Sequence, residues 1–113
     1  MTCVLVTCSG ISNTGKLTTQ AAVTLLRRRP GQYVWIRARQ AAGSLETELG
    51  DAEQVIVIDG CGDCCAKKTL SASRLIPHRH IIATELGIEK NGMAEVQLQE
   101  IEKVVCAVMN NGD

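Results

Sequence analysis

Cys8, Cys61, Cys64 and Cys65 each follow an apolar run at the point where a strand would give way to a helix. The first run is Val4-Leu5-Val6-Thr7, followed by Cys8-Ser9-Gly10. The second is Val55-Ile56-Val57-Ile58, followed by Asp59-Gly60-Cys61-Gly62-Asp63-Cys64-Cys65. Ligands of an open α/β sheet bind outside the carboxyl ends of its strands, so two thiol-bearing loops on that edge can meet at one point. Convergent thiolates are the donors a zinc ion takes. The two-residue gap between Cys61 and Cys64 lets one turn aim two sulfurs at a single ion, and the start of a following helix offers amide N–H groups that stabilise thiolate charge. The pattern predicts a zinc site built on Cys8, Cys61 and Cys65, with Cys64 as the most available fourth ligand. Half of a zinc-ribbon pattern is present; there is no second C-x-x-C.

Two other chemistries compete for the same loops. Cys61-Gly62-Asp63-Cys64 at a helix start is also the arrangement of a thiol–disulfide exchange protein. Thioredoxin-like proteins hold a cis-proline near their thiols, however, and Pro77 is expected at the far edge of the sheet. Gly10-Ile11-Ser12-Asn13-Thr14-Gly15-Lys16 matches a phosphate-binding loop up to Leu17, which replaces the hydroxyl residue that holds magnesium. Nucleotide hydrolysis is therefore not expected, while the Gly10–Lys16 turn can still bind an anion or small ligand beside the metal. Asp59, Asp63 and Glu85 are candidate acid–base partners, each with an ordinary role as solvated charge or helix cap. No catalytic residue is assigned.

The remaining candidates are expected to stand apart. Cys3 begins the strand that Cys8 ends, roughly five rises of ~3.3 Å away, and is expected as a buried hydrophobe. Cys106 lies beside a helical apolar stripe and is expected in the core. His78 and His80 are expected a strand length from the thiols, at the turn where the chain returns to the sheet, and are rejected as ligands.

Composition narrows the function classes. Twelve basic and twelve acidic residues cancel, so no summed field draws the chain to nucleic acid or an anionic membrane. Phe is absent, with one Trp and one Tyr, so a base-stacking platform has almost nothing to be built from. No apolar run approaches the ~20 residues of a spanning helix, and Met1-Thr2-Cys3 offers no basic leader. Six cysteines among 113 residues fall below the roughly 8–10% of disulfide-stapled scaffolds. Free thiols in a reducing cytoplasm are the better reading. The expected partner is a small ligand or another protein, with no nucleic acid and no membrane.

The elements that must position these thiols alternate along the chain. Strands are expected at 2–8, 32–37, 54–59 and 80–84. Helices are expected at 14–29, 66–75 and 95–109, with a short one at 43–49. Arg27-Arg28-Arg29 suits a helix C-terminus and Pro30-Gly31 stops it. Leu98, Ile101, Val105 and Val108 form the stripe of the last helix. Alternation of this kind predicts one α/β domain over residues 1–113, three layers with a mostly parallel four-stranded sheet. Thiolates on one zinc lie about 3.8 Å apart, given Zn–S bonds of ~2.3 Å, so Cys8 and Cys61 are best supplied by neighbouring strands. That selects the order 2-1-3-4 over 3-2-1-4.

Asp59-Gly60-Cys61, a further cysteine, and Ala66-Lys67-Lys68-Thr69-Leu70 resemble the small prokaryotic DGC-domain proteins, to which zinc binding is ascribed. Cys8-Ser9-Gly10-x-Ser12-Asn13-x-Gly15-Lys16-Leu17 resembles their first motif, and the likeness covers essentially the whole chain. The resemblance implies a cysteine zinc site, favours Cys8, Cys61 and Cys65, and carries no established reaction. Such proteins often have another cysteine soon after the second strand, where this chain reads Arg37-Ala38-Arg39-Gln40; Cys64 is the local substitute.

Overall fold

A computed structural model describes residues 3–10, 12–38, 52–72 and 76–110. The helix expected at 43–49 and the end of the one expected at 66–75 lie outside the described residues. Four strands form one parallel sheet: β1 (Cys3–Thr7), β2 (Tyr33–Arg37), β3 (Gln54–Asp59) and β4 (Arg79–Ile82). Their order is β2-β1-β3-β4, as the thiol argument required. Among the described residues three α-helices accompany them: α1 (Asn13–Arg28), α2 (Cys65–Ala72) and α3 (Leu98–Asn110), with a 3-10 turn at Ala83–Leu86.

Strand alternation divides the core in two. Cys3, Leu5, Ile56, Ile58 and Ile81 face α1 and α3, where Leu17, Ala21, Leu25, Ile101, Val104, Val105 and Val108 complete the larger cluster. Val4, Val6, Val55 and Val57 face the other way, onto Ala66 and Leu70 of α2. Both faces of β1 and β3 are thus covered, which explains the unbroken β-branched and aliphatic runs. The ends of α1 follow their local chemistry. The Ser12 hydroxyl accepts the Gly15 N–H at 3.2 Å, and Arg27 and Arg28 sit in the last turn. At the opposite edge of the sheet, the Arg79 guanidinium donates to the carbonyls of Ala107 and Val108, satisfying two orphaned acceptors at the end of α3.

The last helix corrects two expectations. Gln97 rather than Glu95 opens it, because Glu100 reaches back to the Gln97 N–H at 2.9 Å, half of a capping box. Leu98, in the first turn, is 81% exposed, beyond the end of the stripe. Cys106 is exposed, not in the core: at 100° per residue it lies about 150° from the centre of the Ile101/Val104/Val105/Val108 stripe.

Two glycines hold the carboxyl edge together. A Cβ on Gly60 would lie 2.7 Å from the Thr14 carbonyl carbon and 2.8 Å from its oxygen, and one on Gly15 would lie 2.6 Å from the Gly10 backbone. The turn after β1, the start of α1 and the turn after β3 are therefore in main-chain contact. Gly60→Ala is expected to lower stability by about 1–3 kcal/mol, the usual cost of overpacking. A urea-unfolding midpoint unchanged from the parent would contradict that contact.

Candidate functional site

β1 and β3 are paired in register, Thr7 beside Ile58, and the Cys8 N–H donates to the Ile58 carbonyl at 3.2 Å. The chain therefore leaves the sheet at Cys8 and Asp59 side by side. Beyond them Cys8, Cys61, Cys64 and Cys65 all line one cavity of about 490 Å³, together with Asp63 and Lys90. All four are free thiols. No three of these sulfurs lie within 4.8 Å of one another; the one group of three donor residues gathered that closely among the described residues is Asp59, Cys64 and His80.

Asp59 is the fixed point of the site. Its side chain is 1% exposed. Oδ1 accepts the Ala66 N–H at 2.8 Å and Oδ2 accepts the Lys67 N–H at 3.3 Å, so the carboxylate caps α2 where amide donors and the helix dipole favour negative charge. Oδ2 also lies 2.7 Å from His80 Nε2. Two donors on a tetrahedral zinc with bonds of ~2.0–2.1 Å stand about 3.3 Å apart. At 2.7 Å the pair is hydrogen-bonded, and it forms the floor on which the cysteine turn is built.

His80 corrects an expectation: it reaches the carboxyl edge instead of lying a strand length away. The reason is register. β4 enters the sheet at Ile56, placing His80 beside Val57, and alternation then puts its ring on the same face as Asp59. His78 behaves as expected. Its Nδ1 accepts the Val55 N–H at 3.0 Å, at the start of β3, and it takes no part in the site. Pro77 precedes it at that same edge.

Cys64 has φ 51°, left-handed backbone that a non-glycine residue adopts only when its surroundings hold it. Its N–H donates to the Cys61 carbonyl at 3.1 Å, closing the turn. Burial, and next the negative charge of Asp59, push the Cys64 thiol above the usual cysteine range, against the pull of Lys67 and Lys68. Cys61 meets different neighbours: its thiol donates to Asp63 Oδ2 at 3.7 Å, and the Lys90 ammonium lies 3.5 Å from its sulfur. Cys61, with Asp63 also contributing, holds Lys90 above the ordinary lysine range.

Lys90 is a site residue that sequence reasoning missed. Asn13 puts it there: its Nδ2 donates to the Glu89 carbonyl at 2.8 Å, its Oδ1 accepts the Asn91 N–H at 2.7 Å, and its own N–H donates to the Gly92 carbonyl at 3.0 Å. No local pattern announces a contact spanning more than 75 residues. Asp63 lines the cavity as a candidate should, whereas Glu85 is exposed in the 3-10 turn and does not line it. Cys3 is buried at the opposite end of β1. Leu17, 1% exposed, is a core residue and presents no ligand where a phosphate loop would hold magnesium.

No helix among the described residues is long and apolar enough to cross a membrane. The family model described as DGC domain matches residues 4–108, nearly the whole chain. No curated protein and no solved structure matches it.

Proposed function

The chain belongs to the DGC-domain family, one to which metal binding is ascribed, and from that membership and the thiol-lined cavity we propose that it binds zinc through Cys8, Cys61 and Cys65. The observation that carries this reading is that four cysteines from two separate loops line one cavity at the carboxyl edge of the sheet. Sulfur donors select zinc over magnesium or calcium, which take oxygen. The cysteines lie beyond the strand ends, on turns or, for Cys65, at the start of α2, whereas Asp59 and His80 are tied to each other, and Asp59 to α2.

Cys64 decides the character of the centre. Its sulfur is grouped with Asp59 and His80, which supports three cysteine ligands and an open fourth position. An open zinc centre supplies a Lewis acid or an exchangeable ligand site. Asp59 and His80 then orient the turn, Lys90 adds positive charge at the rim, and the resident compartment is the reducing cytoplasm.

Cobalt substitution tests the donor set. Intense sulfur-to-cobalt absorption that persists in Cys64→Ser and shifts when small thiols are added is the expected result. A spectrum indifferent to added thiols that collapses in Cys64→Ser would establish a closed four-cysteine site instead.

A second reading has one specific observation in its favour. Lys90 beside Cys61, with Cys64 three residues on in the same turn and its thiol pKa raised by burial, is the layout of an attacking and a resolving thiol. Exchange would pass two electrons and two protons from the Cys61/Cys64 pair to a substrate disulfide, leaving one disulfide in the protein. Disulfide reductase activity abolished by Cys61→Ser but retained in Cys8→Ser would favour it over zinc.

A further inference from the structure

Lys16 does not line the thiol cavity. It lines a second cavity of about 330 Å³ with Ser9, Gly10, Thr19, Gln20 and Arg37, on the β2 side of the same edge. Gly10 is shared by both cavities. We propose that Ser9, Lys16 and Arg37 bind the oxyanion group, phosphate or carboxylate, of a small ligand in this second cavity. The proposal does not rest on zinc binding.

The lining is made of donors. Two cations from different elements face one space, and among the described residues no carboxylate lines it and neither cation is in an ion pair. Arg37 is held in place: its guanidinium stacks over the Trp35 ring, 4.9 Å from the centroid. Trp35 is fixed in turn, its Nε1–H donating to Thr7 Oγ1 at 2.9 Å.

From Thr7 a chain of hydroxyls determines where a proton points. Thr7 Oγ1 lies 2.6 Å from Ser9 Oγ, and Thr19 Oγ1 donates to Ser9 Oγ at 2.8 Å. Thr7 is fully buried and already accepts from Trp35, so its own proton goes to Ser9, its one acceptor among the described residues. Ser9 Oγ then accepts twice, and its proton has no acceptor inside the network. It is directed into the cavity that Ser9 lines. The backbone of Ser9 is held at φ 48°, with its N–H donating to Thr18 Oγ1 at 3.1 Å, a left-handed conformation like that of Cys64 in the other turn. A neutral donor and two cations aimed at a common space are complementary to an anion's oxygens.

Trp35 is the chain's one tryptophan and reports directly on Arg37. Titration of the metal-free protein with inorganic phosphate and with malonate, at ionic strength held constant with sodium chloride, is expected to give a saturable change in tryptophan fluorescence. The tighter of the two identifies the head group. Calorimetry should find Lys16→Ala and Arg37→Gln weakened at least about tenfold each, the scale of a lost charge-assisted hydrogen bond, and Cys61→Ser unchanged. Lys16 and Arg37 are exposed, so both variants are expected to fold, with parent-like urea-unfolding midpoints as the check. No response beyond that to chloride would overturn the proposal. So would wild-type affinity in both variants, or loss of anion binding in Cys61→Ser, which would place the anion among the thiols.

Discussion

Asp59→Ala is expected to cost roughly 3–5 kcal/mol of stability, a large share of the 5–15 kcal/mol that holds a typical domain together. The carboxylate accepts two amide N–H groups at the start of α2 and pairs with His80, all behind a side chain only 1% exposed. Alanine leaves these donors without acceptors, and a buried unmet donor costs about 1–3 kcal/mol. It also removes the negative charge that complements the N-terminus of α2. Asp59→Asn should fall between, because its oxygen replaces one acceptor while its NH₂ opposes a donor. Urea unfolding of the metal-free protein measures both. A loss under about 1 kcal/mol for Asp59→Ala would mean that α2 is held by Ala66 and Leu70 packing alone.

The second large effect is on metal affinity. Cys8→Ser and Cys61→Ser are each expected to weaken zinc binding by more than about 100-fold, since even outer-shell partners of a metal site are worth 10–100-fold. A serine hydroxyl remains protonated at neutral pH and cannot replace a thiolate. Cys3→Ser and Cys106→Ser provide the comparison, because one residue stands at the far end of β1 and the other on the outer face of α3. Competition with a chromophoric chelator reads all four. Retention of wild-type affinity in Cys8→Ser would remove the β1 turn from the site.

The strand order was legible because the thiols themselves constrain it: Cys8 and Cys61 can share a cavity only if β1 and β3 are neighbours. The β-branched run at 55–58 and the spacing of Leu17, Ala21 and Leu25 likewise announced their elements, since burial on both sheet faces and on one helix face leaves a direct imprint on sequence. His80 was misplaced because nothing local fixes the register with which β4 enters the sheet; two positions of offset decide whether its ring meets Asp59. Cys106 was misplaced by helical phase, where one step beyond Val105 turns a side chain from core to solvent. Lys90 carried no signal at all. Its position depends on the Asn13 side chain, whose amide reads as an ordinary turn residue until the 89–92 segment is seen folded against it. Asp59 was visible as an acidic residue at a strand end, but its role as the cap of α2 emerges only when the turn is closed by Cys64.

The central claim is met most directly by counting metal. Protein purified without a metal-affinity tag, its thiols kept reduced, should contain about one zinc per chain by elemental analysis, or take up one equivalent tightly after chelation. Loss of that equivalent in Cys61→Ser is expected alongside it. Fully folded, reduced protein that carries no zinc and declines added zinc would contradict the account.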